Sequence, residues 1–158
     1  MREMPHALLL ALATAAALLA HGQAHEQANR LDEAAAAYEE ALRVAPRMAE
    51  AHDRLGFVGG RQGRIPEAGA EFKAAIALQP ALCDPPYHLG ATLWWTKDAA
   101  GALPALRTAV RLRPAHAEAQ YYLGLALKDT GDAVGALVRL RRAVKLAPAL
   151  VPAQVRLG

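Results

Sequence analysis

The chain has 158 residues and a formal net charge of +3, which is enough chain to bury a core and too little charge to define a partner by itself. Hydrophobic residues make up 54% and aromatic residues only 5%. The apolar content is therefore mainly alanine and leucine, which favour helices. The single cysteine, Cys83, excludes an internal disulfide framework and cannot by itself form a zinc site. The composition predicts an all-α protein.

An apolar run without charges extends from Ala7 to Ala20. It is shorter than the roughly 20 residues of a membrane-spanning helix, although it suits the apolar region of a signal peptide. Gly22 follows it in register with glycines later in the chain, so we predict that this first helix is retained and that the protein is cytoplasmic. The alternative is that residues 1–20 are an export signal or anchor. In that case the protein is exported or associated with the envelope, and only then does it contact a membrane.

Prolines recur every 34 residues, at Pro46, Pro80, Pro114 and Pro148. A fixed period of this length is typical of stacked helical repeats. Counting each proline as position 32 gives an N-terminal extension, four repeats and the start of a fifth: 1–14, 15–48, 49–82, 83–116, 117–150 and 151–158.

The residue pattern of each repeat predicts two helices joined by a polar turn near positions 15 and 16. Small residues at positions 8, 20 and 27 allow the two helix backbones to approach closely, and a larger residue at position 24 fills the space between them. The position-8 glycines and the position-24 residues are Gly22, Gly56, Gly90, Gly124, Tyr38, Phe72, Leu106 and Leu140. Asp98 and Asp132 are predicted to cap the second helix of their repeats. Pro104 lies inside a second helix and predicts a kink there.

These features resemble the tetratricopeptide repeat family over residues 15–158. The resemblance rests on the 34-residue period, the Leu-Gly pair at positions 7 and 8, the Gly-Asp turn, alanine at positions 20 and 27, and proline at position 32. It implies an all-α, right-handed superhelical solenoid of helix-turn-helix repeats that acts as a protein-protein interaction scaffold or adaptor. It also implies that the first helices line a groove for a peptide or partner segment.

The helical wheel places positions 2, 5, 6, 9, 12 and 13 of each first helix on one face. The residues that we expect to contact a ligand there are Arg54, Phe57, Tyr87, His88, Trp94, Trp95, Tyr121, Tyr122, Leu125 and Lys128. Exposed aromatic side chains are common anchors of peptide recognition. The alternative is packing alone, since the family pattern itself often has an aromatic residue at positions 5 and 12. Trp95 and Tyr122 are aromatic residues at positions where the family pattern does not require one.

Charge and residue type indicate what kind of partner fits. The groove positions carry more acidic than basic residues. They also lack the basic set with which carboxylate-clamp members of the family bind acidic chaperone tails. We expect a protein or peptide ligand with apolar or aromatic anchors and some positive charge. Basic residues concentrate on the second helices, at Arg43, Lys73, Arg107, Arg111, Arg141 and Lys145. We interpret these basic side chains as a solvent-exposed face of the second helices. We predict no nucleic acid as a partner.

The sequence shows no arrangement typical of catalysis, and it contains no serine. His21 and His25 have the i,i+4 spacing of metal ligands, but no third ligand is evident. We therefore predict no catalytic residue, no metal and no cofactor.

Leu157-Gly158 begins another repeat, and no polar capping helix is visible. We expect either self-association through this uncapped end or a longer protein. In the longer protein, the repeats are the recognition arm of an enzyme such as a sugar transferase or a sulfotransferase. That function is the alternative to a scaffold.

Overall fold

The computed structural model describes residues 5–150, and these residues form eight α-helices and no strand. The helices are α1 (His6–Gln27), α2 (Leu31–Val44), α3 (Ala49–Arg61), α4 (Ile65–Leu78), α5 (Asp84–Trp95), α6 (Ala99–Leu112), α7 (Ala117–Asp129) and α8 (Ala133–Leu146). The chain divides into two compact units, Met1–Pro80 and Ala81–Gly158. The prediction of an all-α chain is confirmed. The predicted start of a fifth repeat at 151–158 lies outside the described residues.

Consecutive helices pair as hairpins, and each pair is built on the same contact. The glycine at position 8 of the first helix lies against the large side chain at position 24 of the second. A Cβ atom added at Gly56 would lie 2.8 Å from two ring carbons of Phe72, and one at Gly124 would lie 2.7 Å from Cγ of Leu140. These distances leave no room for any side chain larger than hydrogen. The large residue at position 24 and the alanines at positions 20 and 27 are buried in all four hairpins.

The turn inside each hairpin has the same backbone geometry. The residue at position 15 has a positive φ: 57° at Asn29, 78° at Gly63, 70° at Lys97 and 92° at Gly131. The next residue donates its amide hydrogen to the carbonyl five residues back, as in Asp98 N to Leu93 O at 2.9 Å. This is the Schellman arrangement that ends a helix through one left-handed residue. Glycine adopts that conformation freely, whereas in lysine it carries a steric cost.

The predicted caps are present. Asp98 accepts a hydrogen bond from the amide of Gly101, and Asp132 accepts one from the amide of Gly135, each at 2.8 Å. Helix α6 extends over Ala99–Leu112 with Pro104 inside it.

Polar residues at position 4 have a role that the sequence did not reveal. Gln120 Nε2 donates to the carbonyl of Pro114 at 2.8 Å, and His52 Nε2 lies 2.9 Å from the carbonyl of Pro46. Each side chain thereby satisfies a carbonyl that follows the preceding helix.

Helix α1 packs against α2 through only part of its length. Its buried residues are Ala15, Leu19 and Gly22, whereas Leu8 and Leu10 near its start are exposed. The helix has 22 residues, and its most apolar stretch has a mean hydropathy of 1.6 with 17% of that stretch buried. By length and composition α1 is therefore able to cross a membrane. The same properties also occur in signal sequences and in the core helices of soluble proteins.

The close contact in the α3–α4 hairpin gives a matched pair of substitutions. We expect Gly56→Ala to destabilise the protein by about 1–3 kcal/mol, because the new Cβ meets the Phe72 ring and the backbone oxygen of Ala68. Gly69 lies in α4, and a Cβ atom there would meet no neighbouring group within 4 Å. Gly69→Ala should therefore stabilise the protein by about 0.5–1 kcal/mol. Urea unfolding followed by circular dichroism measures both changes. Equal stability of the two variants would contradict the close contact.

The turn geometry gives a second pair. Lys97→Gly relieves the strain of a positive φ, and we expect it to raise the free energy of unfolding by about 1 kcal/mol. Gly131→Ala introduces the same strain at the equivalent turn and should lower it by about the same amount. Thermal and urea unfolding test the two signs. A loss of stability in Lys97→Gly would show that the lysine side chain contributes more than its backbone costs.

Candidate functional site

Two of the residues predicted to contact a ligand, Arg54 and Phe57, lie in the first unit, and Arg54 belongs to a polar network there. Arg54 Nη1 donates to Glu26 Oε1 at 3.2 Å, and Tyr38 donates its hydroxyl hydrogen to Glu26 Oε2 at 2.8 Å. Burial, followed by the hydrogen bond to Glu26, raises the pKa of Tyr38 well above its ordinary value. The Arg61 guanidinium lies 6.0 Å from the Phe57 ring centroid. Arg54 therefore joins α3 to α1, which is a structural role in its own right.

The second unit brings most of the predicted aromatic residues together. Tyr122 of α7 lies between two residues of α5, with ring centroids 6.1 Å from Tyr87 and 5.5 Å from Trp94. Trp95 lies 5.2 Å from Trp94 in an edge arrangement, and Tyr121 lies 5.4 Å from Tyr122. We call these five residues, Tyr87, Trp94, Trp95, Tyr121 and Tyr122, the aromatic surface. His88 adjoins it, with its ring 5.1 Å from that of Tyr87.

Hydrogen bonds between α5 and α7 hold both indole rings in place. Trp94 Nε1 donates to Asp129 Oδ2 at 2.7 Å, and Trp95 Nε1 donates to the Tyr122 hydroxyl at 3.0 Å. Trp95 nevertheless leaves 64% of its surface exposed. A large aromatic side chain that is both exposed and fixed loses little conformational entropy when a ligand covers it.

His116 borders the aromatic surface, although it is not among the residues predicted from the sequence. Its ring lies 4.6 Å from that of Tyr87, and its Nδ1 accepts a hydrogen bond from the Ala119 amide at 3.3 Å, capping α7. Burial lowers the pKa of His116, and burial also raises the pKa of Tyr87 far above its ordinary value. A signal was available, because position 34 is apolar in the other repeats, at Met48, Leu82 and Leu150.

The surroundings of the aromatic surface are mainly acidic. Asp84, Glu118 and Asp129 come from α5 and α7, and Asp84 forms an ion pair with Arg113 at 3.4 Å. Lys128 is exposed, whereas Leu125 is buried and so does not offer its side chain to a ligand. Burial raises the pKa of Tyr121, which keeps its hydroxyl protonated and neutral.

The structure also shows where other potential metal ligands and the basic residues of the second helices lie. His21 Nε2 and His25 Nε2 lie 3.1 Å apart in α1. Within residues 5–150 a different group brings three potential metal ligands together, namely Cys83, Asp84 and His116. The basic residues of the second helices are exposed, as predicted: Arg43, Lys73, Arg107, Arg111, Arg141 and Lys145.

The depressed pKa of His116 predicts a pH dependence of stability. The folded protein disfavours the charged ring, so the unfolded chain takes up a proton more readily. Stability from this source is present above the ordinary histidine value of 6.5 and is lost as the pH falls below it. We expect His116→Leu, which introduces the residue type found at position 34 of two other repeats, to remove part of the loss between about pH 7.5 and about pH 5.5 in urea unfolding. The exposed His21→Ala variant is the control. An identical pH dependence in wild type and His116→Leu would contradict this assignment.

A family model described as tetratricopeptide repeat matches residues 19–82 and 93–150. No curated protein matches the sequence. The family match and the eight helices together confirm the predicted fold class of tetratricopeptide helix-turn-helix repeats in a solenoid.

Solved structures similar to this chain include YrrB, described as a TPR protein with an unusual peptide-binding site. It is 27% identical with a TM-score of 0.73, and the match covers 83% of this chain and 68% of that one. MamA from Desulfovibrio magneticus RS-1 is 27% identical with a TM-score of 0.77, over 85% and 76% of the two chains. The O-GlcNAc transferase of Thermobaculum terrenum is 24% identical with a TM-score of 0.80, over 90% of this chain and 27% of that one. The last similarity shows the fold alone.

Proposed function

This chain belongs to the tetratricopeptide repeat family of protein-interaction scaffolds, and on that premise we propose that its aromatic surface binds a peptide or an extended partner segment. The proposal is supported by the similarity to YrrB, which is described as having a peptide-binding site. It is supported more directly by the chemistry of α5 and α7, where large rings converge beside carboxylates.

The observation that carries the proposal is the state of Trp95. Packing alone would bury this indole, yet 64% of it is exposed while its Nε1 is hydrogen-bonded to Tyr122 and its ring contacts Trp94. Tryptophan and tyrosine in preorganised positions are the residues that most often dominate binding energy at interfaces. An exposed, fixed tryptophan next to a tyrosine is thus a candidate anchor point.

The surrounding charges favour one class of ligand. The carboxylates of Asp84, Glu118 and Asp129 attract positive charge, and aromatic faces also attract cations. Trp94 already uses its Nε1 for Asp129, so the ring faces, more than the indole nitrogens, are available to a ligand. We expect a segment with apolar or aromatic side chains and at least one lysine or arginine.

The experiment uses the two tryptophans as reporters, because the chain contains no others and both belong to the aromatic surface. Peptides are selected from a random display library on the immobilised protein and then titrated by intrinsic fluorescence. We expect the selected peptides to be enriched in aromatic, aliphatic and basic residues. Trp95→Ala should weaken their binding about tenfold or more, because the exposed anchor is lost.

Two further variants make the assignment specific. Tyr122→Phe removes the hydroxyl that holds Trp95 but keeps the ring, so we expect a smaller loss of affinity than with Trp95→Ala. Val134→Ala is the matched control, since Val134 is 78% exposed on α8 and is not part of the aromatic surface. Peptide binding that is the same in wild type and Trp95→Ala would refute the aromatic surface as the binding site.

A further inference from the structure

Three potential metal ligands meet at the start of α5, beside the aromatic surface. The ligand atoms of Cys83, Asp84 and His116 all lie within 4.8 Å of one another. We propose that Cys83, Asp84 and His116 bind a divalent transition metal ion of the zinc class. It does not require the aromatic surface to bind a peptide, although Asp84 and Glu118 contribute to both proposals.

Comparison of the four repeats shows that Cys83 and His116 both depart from the residue types found at their positions in the other repeats. Position 1 is alanine at Ala15, Ala49 and Ala117, but it is cysteine at Cys83. Position 34 is apolar in the other repeats and histidine at His116. The two departures lie 33 residues apart in sequence and come together in space, at positions where the other repeats carry alanine and leucine or methionine.

The three ligand atoms, all within 4.8 Å of one another, lie somewhat farther apart than in a formed metal site. With bonds of about 2.0–2.3 Å, ligand atoms around one tetrahedral ion lie roughly 3.3–3.6 Å apart. His116 Nε2 and Asp84 Oδ1 are 3.9 Å apart, which is too far for a hydrogen bond. This distance is a few tenths of an ångström longer than that expected between two ligand atoms of the same ion. The Asp84 side chain is 49% exposed and can rotate to close that gap. Its ion pair with Arg113 is exposed and therefore weak.

A neighbouring carboxylate can orient the histidine. His116 Nδ1 lies 3.2 Å from Glu118 Oε2 as well as 3.3 Å from the Ala119 amide. To support a metal, Nδ1 must carry the proton: it then donates to Glu118 and no longer accepts from the Ala119 amide, and the lone pair of Nε2 is left for the ion. This carboxylate–histidine pairing is the usual support of a metal-binding imidazole. Glu118 would thus be a positioning residue.

The ligand types define the metal and the chemistry of binding. One thiolate, one imidazole and one carboxylate suit zinc or cobalt better than magnesium or calcium, which prefer oxygen alone. The Cys83 thiol, which now donates to the carbonyl of Ala109 at 3.4 Å, releases its proton as the sulfur–metal bond forms. Three protein ligands leave a fourth position for water.

Cobalt(II) provides the test, because a thiolate–cobalt bond gives a charge-transfer absorption and the chain has one cysteine. The purified full chain, treated with a chelator, is titrated with Co²⁺ and then with Zn²⁺. We expect one equivalent of Co²⁺ to produce the thiolate band and Zn²⁺ to displace it. Cys83→Ala and His116→Leu should abolish tight binding, and both introduce residue types that other repeats carry at these positions. Glu118→Gln should weaken binding about 10- to 100-fold.

His21→Ala is the control, since it removes one member of the histidine pair in α1 without touching the proposed site. Circular dichroism checks that each variant is folded, and the Co²⁺ band with its displacement by Zn²⁺ is measured on the wild-type chain itself. Absence of the thiolate band from wild type would overturn the proposal. So would a band that persists in His116→Leu or disappears in His21→Ala, because the metal would then be bound only adventitiously.

Discussion

The contact between a glycine of each first helix and a large side chain of the following helix sets the geometry of every hairpin. Because a Cβ atom at Gly56, Gly90 or Gly124 would overlap the side chain opposite, the two backbones lie closer than any larger residue at these positions would allow. Close approach buries the alanines on either side and removes water from a narrow apolar layer. The hairpin therefore needs few large residues for its own stability. Large residues on the other face of a first helix are free to serve another purpose.

The two units use that freedom differently. In the first unit, Glu26 accepts hydrogen bonds from Tyr38 and Arg54, so the first helices are joined by charge and hydrogen bonding. In the second unit the corresponding helices are joined by aromatic rings, and Trp94 and Trp95 donate hydrogen bonds to residues of α7. The same backbone arrangement carries a polar network in one case and, in the other, a mostly half-buried aromatic surface in which Trp95 is exposed. Function in such a repeat follows from these variable positions, since the constant ones are committed to packing.

Much of this could be predicted from sequence because the controlling interactions repeat. The caps at Asp98 and Asp132 depend on an amide three residues away, and the burial of Leu140 depends on a glycine at a fixed spacing. Other features escaped prediction for physical reasons. Lys97 adopts a positive φ that its residue type disfavours, because the repeat imposes the turn. Gln120 is polar at a packing position because a carbonyl there needs a donor.

The sequence by itself determined the helical class, the 34-residue period, the hairpin contact and the residues able to form a binding face. These depend on spacing along one or two helices. Only the tertiary structure decided which members of that face are covered and which are exposed. Trp94 packs between Trp95 and Tyr122, Leu125 is buried, and Trp95 stays open. It also brought Cys83 and Asp84 to His116. These contacts depend on how α5 packs against the start of α7. The spacing of residues along one helix does not determine the distance between two helices.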